Sequence, residues 1–475
     1  VLLGGDKAVW EGHSQKGVLN TAQFVLDDWV ELHGKQEAIS RQFYVDKFSG
    51  AKRNRLIKSL TECDRTGELP LGMAGFIKCD KYFEDVANSK APRMIQYAKP
   101  AVNVELAQHM APVEHTYLMG VGSGPSGTPD CSKGMNNHAR AAAWDTKRNQ
   151  FKNVVCLLGD FSKFDSHVHT HTLTLEHNFW EAASNIKRRH LDRQLINNVS
   201  GLGMRWRAVG TRMSGTYNTG GGNSVINIMI MRTISRLTGI TIEMLCDGDD
   251  SLVFMEDVDV ARFTQCCSEI IPKVFGMKWE FAVSYSQYDE EYCHASLSYS
   301  AEGQPICLVD PVRALARLAA VVNKDGGVVL GKQLIASLVG VYFTFPNHPV
   351  LSRVSHALLT HLGAVDAAGI ITKKMELPDN EFLREQFRVN ATPYWDEKAG
   401  SYKLPASFLD ISEDTRCDVA RSFGCSVKEQ IELERDFVRD FVLNPRIRFR
   451  DHKYCAVEER EELLLTNDHL SSTGL

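Results

Sequence analysis

Apolar residues in this chain fall into short continuous runs, which mark strands, and longer periodic stretches, which mark helices. The runs at 240–245 and 252–255 flank a polar turn, Cys246-Asp247-Gly248-Asp249-Asp250-Ser251. Two apolar strands around a tight turn with a glycine predict a β-hairpin. Residues 154–158, Val-Val-Cys-Leu-Leu, read as a buried strand ending at Gly159-Asp160. A turn over 161–165 and a helix over 167–183 are expected to follow. The polar, glycine-rich stretch 210–223 leads into an apolar helix expected over 224–237. Upstream, 1–75 reads as largely helical, with 22–32 a short amphipathic piece, whereas Pro92 and the alternation after it favour extended chain.

Composition sets the class. The 475 residues are 43% hydrophobic and 24% charged, the balance of a globular protein with room for two or three domains or one large enzyme core. Net charge is −5, which excludes a uniformly polybasic coat but leaves room for local basic surface. Residues 41–99 hold twelve basic against seven acidic side chains, and 147–212 hold eleven against five. Twelve cysteines without a Cys-x-x-Cys pair favour a reduced setting over a disulfide framework. No signal peptide is expected, and the apolar segment 334–345 is too short to span a bilayer.

Several features carry both a bland and a sharp reading. Asp247, Asp249 and Asp250 crowd one turn, where carboxylates repel one another unless a cation lies between them. Alone, that turn reads as a solvated tip; with further acids it reads as a divalent-metal site. Asp160 stands at a strand end, where a carboxylate can emerge from the core, and Asp165 could simply cap the next helix. His167, His169, His171 and His177 gather near Glu176, but without a cysteine at ligand spacing they read better as helix-face residues than as a zinc site. Gly122-Ser-Gly-Pro-Ser-Gly127 matches a dinucleotide fingerprint only by letter, because Pro125 interrupts it and no helix opens after it. Residues 326–332 approach a phosphate-binding loop, but Gln333 stands where a hydroxyl is needed. Basic residues at 52–55, 78–81 and 90–93 suit either a solvated face or a phosphate backbone.

Three pieces in order carry a resemblance. Asp160-x4-Asp165 after a strand, Ser214-Gly215 with Thr219 and Asn223, and Gly248-Asp249-Asp250 in a hairpin are similar to motifs A, B and C of viral RNA-dependent RNA polymerases. Arg212-Met213-Ser214-Gly215 with Asn218-Thr219 and Asn223 is closest to the tombusvirus-like branch of plus-strand RNA viruses. Lys90-Ala91-Pro92-Arg93-Met94-Ile95 resembles motif F, 48–53 an upstream basic element, and 292–312 takes the place of motif E. Thr216-Tyr217 and the triple glycine depart from that branch, which more often has an acidic residue and one glycine there.

The resemblance implies an α+β right-hand fold, with an antiparallel palm sheet backed by helices. The divisions expected are 1–150 for the N-terminal extension and fingers, 151–185 palm, 186–205 fingers insertion, 206–312 palm, and 313–475 a mostly helical thumb with its tail. It implies RNA synthesis from NTPs on an RNA template by two-metal phosphoryl transfer. Asp160, Asp249 and Asp250 would hold magnesium, or manganese, since hard cations take carboxylate oxygens. Asp165, Ser214, Thr219 and Asn223 would select the ribose; Lys78, Lys81, Lys90 and Arg93 would bind triphosphate or template phosphate; Lys278 could protonate pyrophosphate. A reverse transcriptase would usually carry a bulky aromatic in place of Asp165, and a silent RNA-binding scaffold would have no need of the acids. Template and nascent RNA, and other viral replicase proteins, are the expected partners. The expected place is host cytoplasm, at membrane-bound replication complexes or within a virion, with membrane association not encoded in this chain.

Overall fold

The structure is a computed structural model that describes residues 7–48, 50–78, 82–83, 92–319, 330–373, 375, 387–443 and 456–457. Helices and mostly antiparallel sheets make it an α+β protein of two compact units. The first unit comprises Val1–Lys78, Pro92–Lys133 and Thr146–Tyr285; the second comprises Cys79–Ala91, Gly134–Asp145 and Ser286–Leu475. The division expected at 312 falls inside the second unit.

The first unit is built on a four-stranded antiparallel sheet ordered Trp279–Ser284, Val154–Phe161, Asp250–Glu256 and Glu243–Asp247. Val154–Phe161 is an inner strand buried at Val155, Cys156 and Leu157, which is why its sequence is a continuous apolar run. Glu256 closes the far end of the sheet by accepting from the backbone N–H groups of Lys152 (2.8 Å) and Asn153 (3.0 Å).

The helix Thr219–Thr238 lies in the same core, buried on nearly every side, so its sequence is apolar all round. It starts five residues earlier than expected and takes in all three consecutive glycines. Glycine normally weakens a helix by about 1 kcal/mol per residue relative to alanine. Here packing overrides propensity: a Cβ on Gly221 would lie 2.2 Å from Glu114 Oε1, so a side chain there would have to push that carboxylate aside. The helix ends at Gly239, whose φ of +68° is a left-handed cap.

Gln15–His33 extends the expected amphipathic piece in both directions. Ser14 caps it by accepting from Gly17 N (3.1 Å), and Val18, Ala22, Leu26 and Trp29 bury one stripe. Each large side chain so buried contributes roughly 1.5–3 kcal/mol. The helix expected over 167–183 is two pieces, Phe164–His167 and Thr170–Ala183, separated at Val168 and His169. The break follows from Arg212 N and Thr211 N, which bond Asp165 O (2.7 Å) and Val168 O (2.7 Å) and so draw the segment away from helical pairing.

A second four-stranded sheet of this unit is ordered Met94–Ala98, Met73–Ile77, Ile196–Gly201 and Met204–Val209. The extended chain expected after Pro92 is its edge strand.

In the second unit, the hairpin Ala295–Tyr299 with Pro305–Val309 occupies the stretch likened to motif E. Helices Leu330–Thr344, Pro349–His361, Glu413–Phe423 and Val427–Leu443 supply most of the remaining core, including Tyr342, Leu351, Leu358 and Phe437. The basic 446–450 and acidic 458–462 tail segments lie outside the described residues. No described helix is long and apolar enough to cross a membrane.

His348 caps one of these helices while buried. Its Nδ1 accepts from Leu351 N (3.3 Å) and its Nε2 donates to Val309 O (2.9 Å), an arrangement only the neutral ring can make. Burial pushes its pKa down to about 4. An unfolded histidine takes up a proton near 6.5, so the stability contributed by this site is whole above that pH and lost as pH falls toward 4. Denaturant unfolding of the second unit is expected to weaken by roughly 3 kcal/mol across that window. His348→Gln should flatten the pH dependence, and an unchanged slope in that variant would refute the assignment.

Candidate active site

The acids come together because of strand register. Ser251 pairs with Gly159 and Asp250 with Asp247, so Asp160, one residue beyond Gly159, emerges beside the hairpin turn. Gly159 is closely covered: a Cβ there would lie 2.4 Å from the Trp279 indole nitrogen packed against the strand, so any side chain would have to displace that ring. The hairpin turn holds two residues, Gly248 and Asp249, between the paired Asp247 and Asp250. Gly248 has φ +68°, a geometry that penalises any side chain.

Two polar residues of the long helix, which the sequence reading did not single out, clamp this turn. Gly248 N donates to Ser224 Oγ (2.9 Å), and Asn227 Nδ2 donates to Gly248 O (3.1 Å) and Asp249 O (3.3 Å). Along the outer strand, Cys246 N donates to Asp130 O (2.9 Å) and Ser132 N to Cys246 O (2.8 Å).

Beneath that edge lies a buried four-charge network. Lys147 Nζ, fully buried, donates to Glu243 Oε2 (2.8 Å), Asp130 Oδ1 (3.2 Å) and Thr128 O (3.0 Å). Arg232 donates to both oxygens of Asp130 (2.7 and 3.2 Å). Burial alone would raise the Asp130 carboxyl, but Arg232 and Lys147 beside it hold it below the usual range. The 122–127 segment is a loop, as expected, and it wraps this network: Ser126 N donates to Glu243 Oε1 (2.5 Å), and a Cβ on Gly124 would strike the same carboxylate. Charged residues inside apolar runs, Arg232 and Glu243 among them, were the available signal for this network.

Asp249 is pushed up to about 6, first by burial and then by the negative charges of Asp250, Asp160 and Asp165. An all-carboxylate set with that much mutual repulsion suits a hard divalent cation. Among the described residues no group of three or more His, Cys, Asp or Glu side chains is placed so that it could hold a metal ion.

Next to the acids, Asp165 is held from two sides. Ser214 Oγ donates to its Oδ2 (2.5 Å) and Asn223 Nδ2 to its Oδ1 (2.9 Å). Asp165 sits in the first turn of Phe164–His167 and does not cap it; Lys163 precedes that turn at φ +50°. Thr219 does not reach this group, since its hydroxyl donates to Met213 O and Thr216 O (both 2.9 Å) and thereby shapes the loop.

Lys278 is exposed and ion-paired with Glu280, the strand partner of Asp160, so it does not point freely at the acids. Lys78 and Arg93 are exposed at the open end of the 73–77/94–98 pair, where Lys78 N donates to Arg93 O (2.8 Å). Lys81, Lys90 and the 326–329 segment lie outside the described residues.

The histidines have separate duties. His167 Nδ1 lies 3.0 Å from Ser162 O, His171 Nε2 lies 2.9 Å from Val274 O, and burial pushes His177 down to about 4.

Comparison with known proteins bears on this geometry. A family model described as viral RNA dependent RNA polymerase matches residues 5–442. The chain belongs to the viral RNA-dependent RNA polymerase family. Among curated relatives, it is 25% identical over 435 residues to the RNA-directed RNA polymerase of Turnip crinkle virus, covering 85% of this chain and 51% of the relative. It is 28% identical over 412 residues to that of Groundnut rosette virus, covering 82% and 44%. The RNA-directed RNA polymerase of Oat chlorotic stunt virus is 27% identical over 293 residues, covering 59% and 39%. The chain thus spans about half the length, or less, of these curated relatives. Polymerases of this family act in general on an RNA template and NTPs and use divalent metal ions.

Proposed function

We propose that this chain synthesises RNA on an RNA template, adding nucleotides from NTPs. The observation that carries the reading is the juxtaposition, by sheet register, of Asp160 with the Asp249-Asp250 turn, beside an Asp165 already bonded to Ser214 and Asn223. Asp160, Asp249 and Asp250 would hold magnesium or manganese, which when bound neutralises charge on the triphosphate and acidifies the attacking 3′-hydroxyl. The residues' own part is positional. The Ser224–Asn227 clamp fixes where Asp249 stands, and the sheet fixes Asp160.

Asp165, Ser214 and Asn223 form a polar set able to meet a ribose 2′-hydroxyl. A site built to bond a hydroxyl rejects a substrate lacking it, because its buried polar groups lose a partner. Asp165→Ala is expected to reduce preference for NTPs over 2′-dNTPs by about tenfold or more, read as a ratio of kcat/KM values. Wild-type discrimination in that variant would remove Asp165 from sugar selection.

In this reading the first unit's main sheet is the palm, the flanking sheet belongs to the fingers, and the helices of the second unit are the thumb. A groove of about 680 Å³ along the flanking sheet is lined by Lys99, Arg205, Trp206 and Arg207, with no acid in its lining. Its edge strand reaches the site, as Gly215 N donates to Gln96 O (2.7 Å). Cations interleaved with an aromatic suit single-stranded RNA. Arg205→Ala with Arg207→Ala should weaken binding of a short single-stranded RNA and lower the slope of log affinity against log salt by about 1.5. A slope equal to wild type would move the RNA path elsewhere.

Replicase proteins of the same virus as partners, and membrane-bound replication complexes in host cytoplasm or a virion as the location, complete the proposal. Magnesium-dependent incorporation of labelled UTP by the purified chain on a primed RNA template tests it. A folded protein that binds RNA but incorporates nothing would favour the scaffold reading.

A further inference from the structure

We infer that the buried ion pair between Glu176 and Arg212 acts as a positioning device for sugar selection, locking the Asn223 amide in the one orientation that serves Asp165. The inference rests on the reading of Asp165 and Asn223 as the sugar-selecting pair.

The chain of contacts is continuous and buried. Glu176 is fully buried in the helix Thr170–Ala183, and its carboxylate accepts from the Arg212 guanidinium, from Trp180 Nε1 (2.7 Å) and from Asn218 Nδ2 (2.9 Å). Burial alone would raise this carboxyl, but Arg212 holds it below the usual range, so the pair stays charged. Arg212, with its side chain 1% exposed, turns Nε toward Asn223 Oδ1 (3.0 Å). That bond uses the amide oxygen and leaves the amide nitrogen to donate to Asp165 Oδ1 (2.9 Å).

Polarity makes the arrangement one-way. Were the amide to turn over, its NH2 would face the arginine N–H and its oxygen would face the Asp165 carboxylate, opposing like with like at both ends. Arginine has no acceptor and an ionised carboxylate no donor, so neither neighbour can adapt. Without Arg212 the amide could rotate, and the donor that Asp165 needs would be present only part of the time.

The backbone reinforces the same link, since Arg212 N donates to Asp165 O (2.7 Å). The triple glycine, which departs from the resembling branch, now has a physical reason at its last member. A Cβ on Gly222 would stand 2.2 Å from Glu176 Oε1 and 2.7 Å from the Arg212 guanidinium, so the residue before Asn223 is left bare to admit the ion pair.

A purely structural ion pair would, when weakened, lower activity toward all nucleotides together. A positioning pair would lower the ratio. The experiment measures kcat/KM for UTP and 2′-dUTP on one primed template for wild type, Glu176→Gln, Arg212→Lys, Asn223→Ala and Asp165→Ala, with thermal melts of each. Glu176→Gln keeps the shape but removes the charge that holds the arginine; Arg212→Lys keeps the opposite charges but removes the Nε donor to Asn223. Each is expected to lose about tenfold in UTP preference, mainly through a gain in 2′-dUTP use relative to UTP. Should Glu176→Gln fail to fold, Arg212→Lys carries the same expectation. Wild-type ratios in the folded Glu176 and Arg212 variants, with a reduced ratio in Asn223→Ala, would overturn the positioning role alone. Wild-type ratios in Asn223→Ala and Asp165→Ala would overturn the sugar-selection reading and this inference with it.

Discussion

Asp249→Asn is expected to reduce RNA synthesis about a thousandfold or more and to leave the protein folded. The substitution keeps the shape of the turn, whose geometry depends on Gly248 and on backbone groups bonded to Ser224 and Asn227. It removes a charge that Asp250, Asp160 and Asp165 all oppose. Stability should therefore stay level or rise slightly, while the ability to hold a divalent cation falls. Primer extension and a thermal melt on the same preparation read both effects. Near-wild-type extension would end the metal-site reading of the hairpin, and a collapse of the melt would make Asp249 a structural residue instead.

Lys147→Met is expected to have the largest effect on stability, a loss of roughly 3–5 kcal/mol. Lys147 is fully buried, and removing its ammonium would leave the fully buried Glu243 carboxylate with the Ser126 N–H but without the Lys147 cation. An unpaired buried charge is far more costly than a lost surface contact. Arg262 and Glu11 make the contrast, since their ion pair is half exposed on both sides (51% and 52%) and solvent screens it. Denaturant unfolding should show Lys147→Met well below wild type and Arg262→Met near it. Adding Glu243→Gln to Lys147→Met should recover part of the loss, because it removes the stranded charge. Equal midpoints for Lys147→Met and wild type would show that water or rearrangement satisfies Glu243.

The local elements were legible where a pattern has a single physical cause. The run 154–158 is apolar throughout because an inner strand is covered on both faces, and Gly248 stands in its turn because a left-handed residue is needed there. The start of the long helix was not legible. Glycines at 220–222 speak for a loop by propensity, and only the side chains that would collide with a Cβ, Glu114 at one position and Glu176 with Arg212 at the next, explain their place in a helix. The break at Val168 and His169 was hidden for a similar reason, since the bonds that cause it come from Thr211 and Arg212 some forty residues later.

The candidate site divides in the same way. Residue order, through the resemblance it carries, was enough to single out Asp160, Asp165, Ser214, Asn223, Asp249 and Asp250 as candidates. Pairing was not. Thr219 belongs to the same motif by spacing yet spends its hydroxyl on the loop, and Lys278 lies near in sequence to the sheet yet is engaged with Glu280. The Ser224–Asn227 clamp, the Glu176–Arg212 pair and the network of Asp130, Lys147, Arg232 and Glu243 join residues from 17 to 102 positions apart. By itself, then, the sequence determined which acids and polar groups this polymerase family member carries and that a hairpin turn presents two of them. Only the tertiary structure decided which carboxylate opposes which, and which buried charges hold them there, because register and burial depend on segments that meet after the chain has folded.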